Sequence, residues 1–111
     1  MRNINTQVGK VWICSHAHDR LRRHSITPKY VKELIYKLNN WKPSGHRSVG
    51  RIKLDGVKWR IVLEQDSNPR VEHDWDLITV VPEKVYTQEA KACGRWTRQE
   101  LINLKLYSNQ R

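Results

Sequence analysis

The sequence predicts a single α+β domain: an N-terminal strand and two helices packed on a three- to four-stranded antiparallel sheet, followed by a C-terminal helix. Three observations predict this class. The 111 residues suffice for one modest core. A helical hydrophobic period follows Pro28, and strand-like runs flank the hairpin signal Asp55-Gly56.

The first half is predicted to hold one strand and two helices. The apolar run 10–14 is a strand candidate, and Ser15 is a candidate cap for a helix that ends near Arg23. Thr27 is a candidate N-cap for the second helix, with Pro28 at its first position. The apolar residues of this helix recur at i, i+3, i+4 and i+7 and predict one buried stripe: Val31, Leu34, Ile35 and Leu38.

The second half is predicted to hold the sheet and to end in a helix. The capping box Thr97-x-x-Glu100 predicts a closing helix from Arg98 to about Tyr107, and residues 87–93 are a candidate for a shorter one. The strand candidates are Val49–Leu54, Val57–Gln65 and His73–Val81.

A two-residue turn at Asp55-Gly56 predicts the faces of the hairpin. Strand alternation then gives one wholly apolar face and one basic face. The basic side chains either repel one another across the strands, splay into solvent, pair with Glu64, or bind phosphate. Thr79, on the third strand, is of functional interest only if it shares a face with Arg60. The basic face consists of Arg51, Lys53, Lys58 and Arg60.

Charge predicts the class of partner. The chain holds 21 Lys and Arg against 11 Asp and Glu, a formal charge of +10. Residues 1–50 account for ten of the basic and two of the acidic residues, hence +8 of the total. This balance favours a polyanion, of which nucleic acid is the commonest. The sequence has no apolar run for a membrane span or a signal-peptide core, and so we expect no membrane partner. The only cysteines are Cys14 and Cys93, which predicts neither a disulfide framework nor a zinc site. We therefore expect no metal, no cofactor and a reduced, cytoplasmic setting in the producing or a target cell.

The segment His16-Ala17-x-x-Arg20-Leu21-x-x-His24 carries the chemistry. Histidine transfers protons near neutral pH, and arginine is a permanently charged fork that matches phosphate. On a helix, His16 and Arg20 face the same side, which favours phosphodiester chemistry. The competing interpretation is a solvated basic helix face. His18 points nearly away from His16, which argues against a metal pair.

Residues 14–26 resemble the opening pattern H-A-x-x-R-[LM]-x-x-R-G-I of an uncharacterised branch of small toxin-like domains. That branch is grouped with the barnase–EndoU–colicin–RelE class of ribonuclease folds. Positions 16, 17, 20, 21 and 26 agree, whereas His24 replaces the usual arginine and Ser25 the usual glycine. The resemblance continues to the strands with Trp59-Arg60 and Thr79. It covers about residues 10–83 and leaves 84–111 as a C-terminal helical extension.

The resemblance implies metal-independent RNA cleavage through a 2′,3′-cyclic phosphate. His16 would transfer protons, and Arg20 and Arg60 would hold the phosphate oxygens. Thr79 would donate a positioning hydrogen bond, and His24 would be the reserve acid or base.

Further basic-type residues would hold the flanking phosphates of the RNA. RNA is thus the expected partner, and an acidic antitoxin or immunity protein is a second candidate partner. The main alternative is a non-catalytic basic nucleic-acid-binding or host-regulatory protein of phage type; a module that docks an acidic protein is a third. The predicted RNA-binding residues are Arg23, His46, Arg47, Arg51, Lys53 and Lys58.

Overall fold

A computed structural model describes residues 3–6, 8–38, 47–65 and 74–109, and this part of the chain confirms the α+β class. Helices and strands alternate in blocks, as the sequence predicts. The elements are β1 (Asn3–Thr6), β2 (Gly9–Ile13), α1 (Ser15–Arg23), α2 (Pro28–Lys37), β3 (Arg47–Leu54), β4 (Val57–Gln65), β5 (Trp75–Val85), α3 (Thr87–Ala92) and α4 (Arg98–Asn109).

In the described part of the chain, the sheet has five strands in the order β1-β2-β5-β4-β3, and it is mixed. β2 and β5 pair in parallel, whereas the other neighbours are antiparallel. The predicted packing of helices on a sheet is therefore confirmed, but the sheet differs from the prediction of three to four antiparallel strands in having five strands and one parallel pair. The polar strand β1 has no hydrophobic alternation that would reveal it. The parallel pair arises because α1, α2 and the β3–β4 hairpin intervene before the chain returns beside β2.

The β3–β4 hairpin has the predicted register. Leu54 pairs with Val57, and Arg51 pairs with Arg60. Asp55 and Gly56 have φ angles of 53° and 73°, as a two-residue turn of type I′ requires. This turn sets which side chains share a face, and so it produces the predicted apolar and basic sides.

One core lies on the apolar side of the hairpin. Trp59 and Ile61 of β4 are fully buried there with Val80 of β5. Each of the four helices contributes to this same core, and so the helical layer lies on that side of the sheet. The helical contributions include Ala17, Leu21, Val31, Leu34, Ile35, Ala90, Leu101 and Leu104.

α1 ends in a Schellman motif. Ser25 has a φ of 57°, the Ser25 N–H donates to Arg22 O at 3.2 Å, and the Ile26 N–H donates to Leu21 O at 2.8 Å. Ile26 and Leu21 are both in the core, which is the hydrophobic contact expected of this motif. The turn explains why a glycine at position 25 suits the pattern that this segment resembles.

The other helix caps follow the sequence in two of three cases. Thr27 accepts a hydrogen bond from the Tyr30 N–H, and Thr97 and Glu100 form the predicted capping box, with bonds of 2.8 and 3.1 Å. The predicted Ser15 cap was wrong, because Ser15 is the first residue of α1 and Cys14 is its N-cap, without a side-chain cap bond.

No helix in the described ranges is both long and apolar enough to cross a membrane.

Candidate functional site

His16 and Arg20 are in direct contact on α1. The Arg20 Nε–H donates to His16 Nε2 at 2.9 Å, and His16 is exposed. Ala17 and Leu21 hold the opposite stripe of the helix in the core. The i, i+4 spacing thus gives the predicted pair. In this contact His16 Nε2 is the hydrogen-bond acceptor.

The C-terminal helix joins this pair through Tyr107. The Arg20 guanidinium carbon lies over the Tyr107 ring, 5.4 Å from its centre, which is within cation–π range. The sequence did not indicate Tyr107 as part of this site. The only signal was an aromatic residue in the last turn of a predicted helix, and nothing in the sequence indicates which helix it contacts.

His24 is buried between α1 and α4. It is 3% exposed and makes an edge-to-face contact with Tyr107, with ring centres 4.8 Å apart. Burial, assisted by the charges of Arg23 and Arg20, lowers the pKa of His24 to about 4. Its imidazole is therefore neutral at pH 7, and the structure places it in the interior rather than beside the exposed His16. This location favours a packing or ligand-binding role over that of a proton donor.

The basic sheet face (Arg51, Lys53, Lys58 and Arg60) is partly neutralised by acidic side chains. Glu83 Oε1 accepts a hydrogen bond from Arg51 Nε at 3.0 Å, and the same oxygen lies 3.9 Å from Arg60 Nε. Lys53 Nζ lies 2.9 Å from Glu89. The described ion pair of Glu64 is with Arg47, at 2.7 Å. Glu83 thus stands where a bound phosphate was predicted to offset the repulsion.

Glu83 lies at a β-bulge of β5, and alternation from Val81, which pairs with Arg60, puts Glu83 on this face. Trp59 pairs with Pro82 but Lys58 pairs with Lys84, which leaves Glu83 as the extra residue of β5. The bulge depends on how β5 meets β4, and so the hairpin sequence alone carries no signal for it.

Thr79 shares a face with Arg60. Thr79 pairs with Val62, and Arg60 pairs with Val81, in an uninterrupted stretch of the ladder. Alternation therefore places Thr79 and Arg60 on the same side of the sheet. This meets the condition under which Thr79 has functional interest.

The predicted catalytic residues fall into two groups. His16 and Arg20 belong to α1 in the helical layer, whereas Arg60 and Thr79 lie on the opposite face of the sheet. Both groups adjoin β5. The Cys14 N–H donates to Leu77 O at 3.4 Å, and β2 ends opposite Leu77, so α1 begins next to the segment of β5 that carries Thr79.

The predicted RNA-binding residues are similarly dispersed. Arg23 is exposed at the end of α1, Arg47 is paired with Glu64, and His46 lies outside the described residues. Within the described ranges, no group of three or more His, Cys, Asp or Glu side chains could hold a metal ion.

Comparison with known proteins adds no relative. No protein-family model, no curated protein and no solved structure matches the chain.

Proposed function

We propose that this protein is a metal-independent endoribonuclease of the small toxin type, which cleaves RNA through a 2′,3′-cyclic phosphate. One observation carries the proposal: the Nε2 atom of an exposed imidazole accepts a hydrogen bond from a guanidinium nitrogen at 2.9 Å. A proton acceptor and a phosphate-binding fork thus occupy one site. The +10 charge supports a polyanionic substrate.

In the first step of the proposed mechanism, an RNA phosphate replaces His16 as the hydrogen-bond partner of Arg20. A phosphodiester that accepts hydrogen bonds from Arg20 draws the guanidinium away from His16 and frees Nε2. His16 then takes the proton of the ribose 2′-hydroxyl, whose oxygen attacks the adjacent phosphorus. The bond to the 5′-oxygen breaks, and this oxygen takes a proton from solvent water and leaves as a 5′-hydroxyl. His16 returns the proton that it accepted to solvent. Arg20 stabilises the charge of the phosphorane. Arg60 and Thr79 lie on the opposite face of the sheet and take no part in this step; there they would hold a neighbouring phosphate of the RNA.

The basic sheet face supports this function by holding neighbouring phosphates. Lysine and arginine side chains that replace condensed counterions give salt-dependent affinity for the RNA backbone. Glu83 keeps the face ordered in the absence of RNA and yields Arg51 to a phosphate. An acidic antitoxin or immunity protein would be recognised by the same charge complementarity. The cytoplasm of the producing or a target cell is the compartment that supplies the substrate.

Cleavage of total RNA in EDTA by matched variants tests the proposal. His16→Ala should reduce the rate by about 10²–10⁴-fold, which is the usual contribution of a general base. His18→Ala is the matched control, because His18 is on the same helix but outside the pair, and it should keep the wild-type rate. Arg20→Lys keeps the charge but loses the fork and should also be impaired. Equal rates for His16→Ala and His18→Ala would refute the role of His16.

The alternative is a non-catalytic nucleic-acid-binding protein. Positive charge is distributed over two layers of the molecule, α1 and the basic sheet face. Such a wide distribution suits an extended binding surface better than a compact catalytic site, and so it favours this alternative. Under this alternative, RNA binding is salt-sensitive, and no RNA is cleaved with or without Mg²⁺.

A further inference from the structure

A groove of about 380 Å³ lies between the end of α1 and the last turns of α4, within the size range of small-ligand sites. The α4 wall belongs to the segment outside the ribonuclease resemblance, and so the resemblance assigns no role to it. The lining residues are Arg23, His24, Asn103, Leu106 and Tyr107.

The walls of the groove combine a flat apolar surface with polar groups. Leu106 is 58% exposed, and the Tyr107 ring is half-buried beside it. An aromatic ring and an exposed leucine suit a planar heterocycle. Asn103 is exposed, and its Oδ1 accepts a hydrogen bond from Gln99 Nε2 at 3.2 Å. The amide nitrogen of Asn103 has two N–H donors with which to read an acceptor on such a ring.

His24 supplies an independent indication of a ligand. Both of its ring nitrogens are buried and have no hydrogen-bond partner within the described residues. A buried polar group without a partner costs free energy, and a neutral imidazole offers one donor and one acceptor. A nucleobase edge, which also carries both kinds of group, would satisfy these nitrogens after a small movement of the ring.

The groove is continuous with the His16–Arg20 pair. Tyr107 contacts His24 on the groove side and lies under the Arg20 guanidinium, which in turn bonds to His16. Arg23, at the mouth, is exposed and can bind a phosphate. A nucleotide that places its phosphate at Arg20 therefore has its base within reach of the groove.

We infer that this groove is a nucleobase-binding subsite for the nucleotide next to the cleaved phosphate, an inference that rests on the proposed function. Tyr107 and Leu106 provide the stacking surface, and Asn103 and His24 read the edge of the base. The C-terminal helix thus contributes base preference to the proposed ribonuclease.

The subsite is tested by binding, separately from cleavage. The His16→Ala protein is titrated with the 3′-monophosphates of adenosine, guanosine, cytidine and uridine, and the ring resonances of His24 and Tyr107 are followed by NMR. We expect saturable shifts that differ among the four bases. Asn103→Ala should lower the affinity for the preferred nucleotide about tenfold, because the variant loses a hydrogen bond to the base. Asn5→Ala, an exposed asparagine on β1, is the control and should leave the affinity unchanged.

The outcomes separate the two proposals. Base-dependent shifts that Asn103→Ala weakens support the subsite, even if the wild-type protein cleaves no RNA; that combination refutes only the ribonuclease proposal. Cleavage by the wild type without shifts at His24 and Tyr107, and with the same base preference in Asn103→Ala, overturns the subsite and leaves the ribonuclease proposal standing. Equal shifts with all four nucleotides also overturn it as a base-reading site.

Discussion

Ser25 has a left-handed backbone conformation at the end of α1, with a φ of 57°. Residues with a Cβ atom pay roughly 1 kcal/mol or more for this conformation, whereas glycine adopts it freely. Position 25 is serine here, whereas the pattern that this segment resembles has glycine. The Schellman motif gives the physical reason for that glycine. Serine at position 25 thus lowers the stability of the folded protein locally, while the turn keeps the shape that glycine would adopt.

Ser25→Gly should therefore stabilise the protein by about 0.5–1 kcal/mol. The measurement is urea unfolding, in which the midpoint should rise without a change in slope. The control is Ser15→Gly, because Ser15 is also an exposed serine but lies in the helical region, where glycine is unfavourable. A lower midpoint for Ser25→Gly would contradict the account of this turn.

His24 predicts a loss of stability in mild acid. Its folded-state pKa of about 4 lies below the ordinary 6.5, and so the unfolded chain binds the proton first as the pH falls. The free energy of unfolding should decrease between about pH 6.5 and pH 4, by at most about 3 kcal/mol from this group. Above pH 6.5 the contribution is constant.

The measurement is urea unfolding at pH 7 and pH 4.5 for wild type and His24→Phe. The phenylalanine keeps an aromatic contact with Tyr107 but cannot be protonated, and so the difference between the two pH values should shrink. His18→Gln is the control, because it removes a histidine of α1 and leaves the contact between His24 and Tyr107 in place, and it should retain the wild-type difference. An unchanged pH dependence in His24→Phe would show that His24 is not the responsible group.

At the scale of elements, local patterns were sufficient where the partner strand is close in sequence. The register of β3 and β4 follows from Asp55-Gly56 and from alternation, and both are local. β1 and the bulge at Glu83 could not be predicted, because each depends on pairing with a strand whose position the sequence does not state. The electrostatics of the basic sheet face therefore differ from the prediction even though its four basic residues were correctly placed.

Glu83→Gln tests how this element binds phosphate. It removes the carboxylate that competes for Arg51 and Arg60, and so RNA affinity should rise by about threefold to tenfold, with a salt slope steeper by about one. Fluorescence anisotropy of a labelled RNA at several salt concentrations gives both quantities. Glu33→Gln changes the net charge equally on the exposed side of α2 and should have the smaller effect. Weaker binding by Glu83→Gln would contradict the competition between Glu83 and phosphate for Arg51.

At the scale of the whole molecule, the predicted site residues are split between two layers. The His16–Arg20 contact was predictable because a helix places i and i+4 side by side. The arrival of Tyr107 at Arg20 was not, because it needs α4 to pack against α1 across more than eighty residues of sequence. The sequence thus predicted the His16–Arg20 contact but not the groove between α1 and α4.

The chemistry of the RNA ends distinguishes a metal-independent ribonuclease from a metal-dependent nuclease and from a binding protein. Purified protein is incubated with RNA in EDTA, and the fragment ends are identified by mass spectrometry. We expect fragments with 2′,3′-cyclic phosphates and 5′-hydroxyls from the wild type and from His18→Ala. His16→Ala should give no such fragments above background. Fragments with 5′-phosphates, cleavage that requires added Mg²⁺, or equal amounts of cyclic phosphate from His16→Ala would contradict the proposed mechanism.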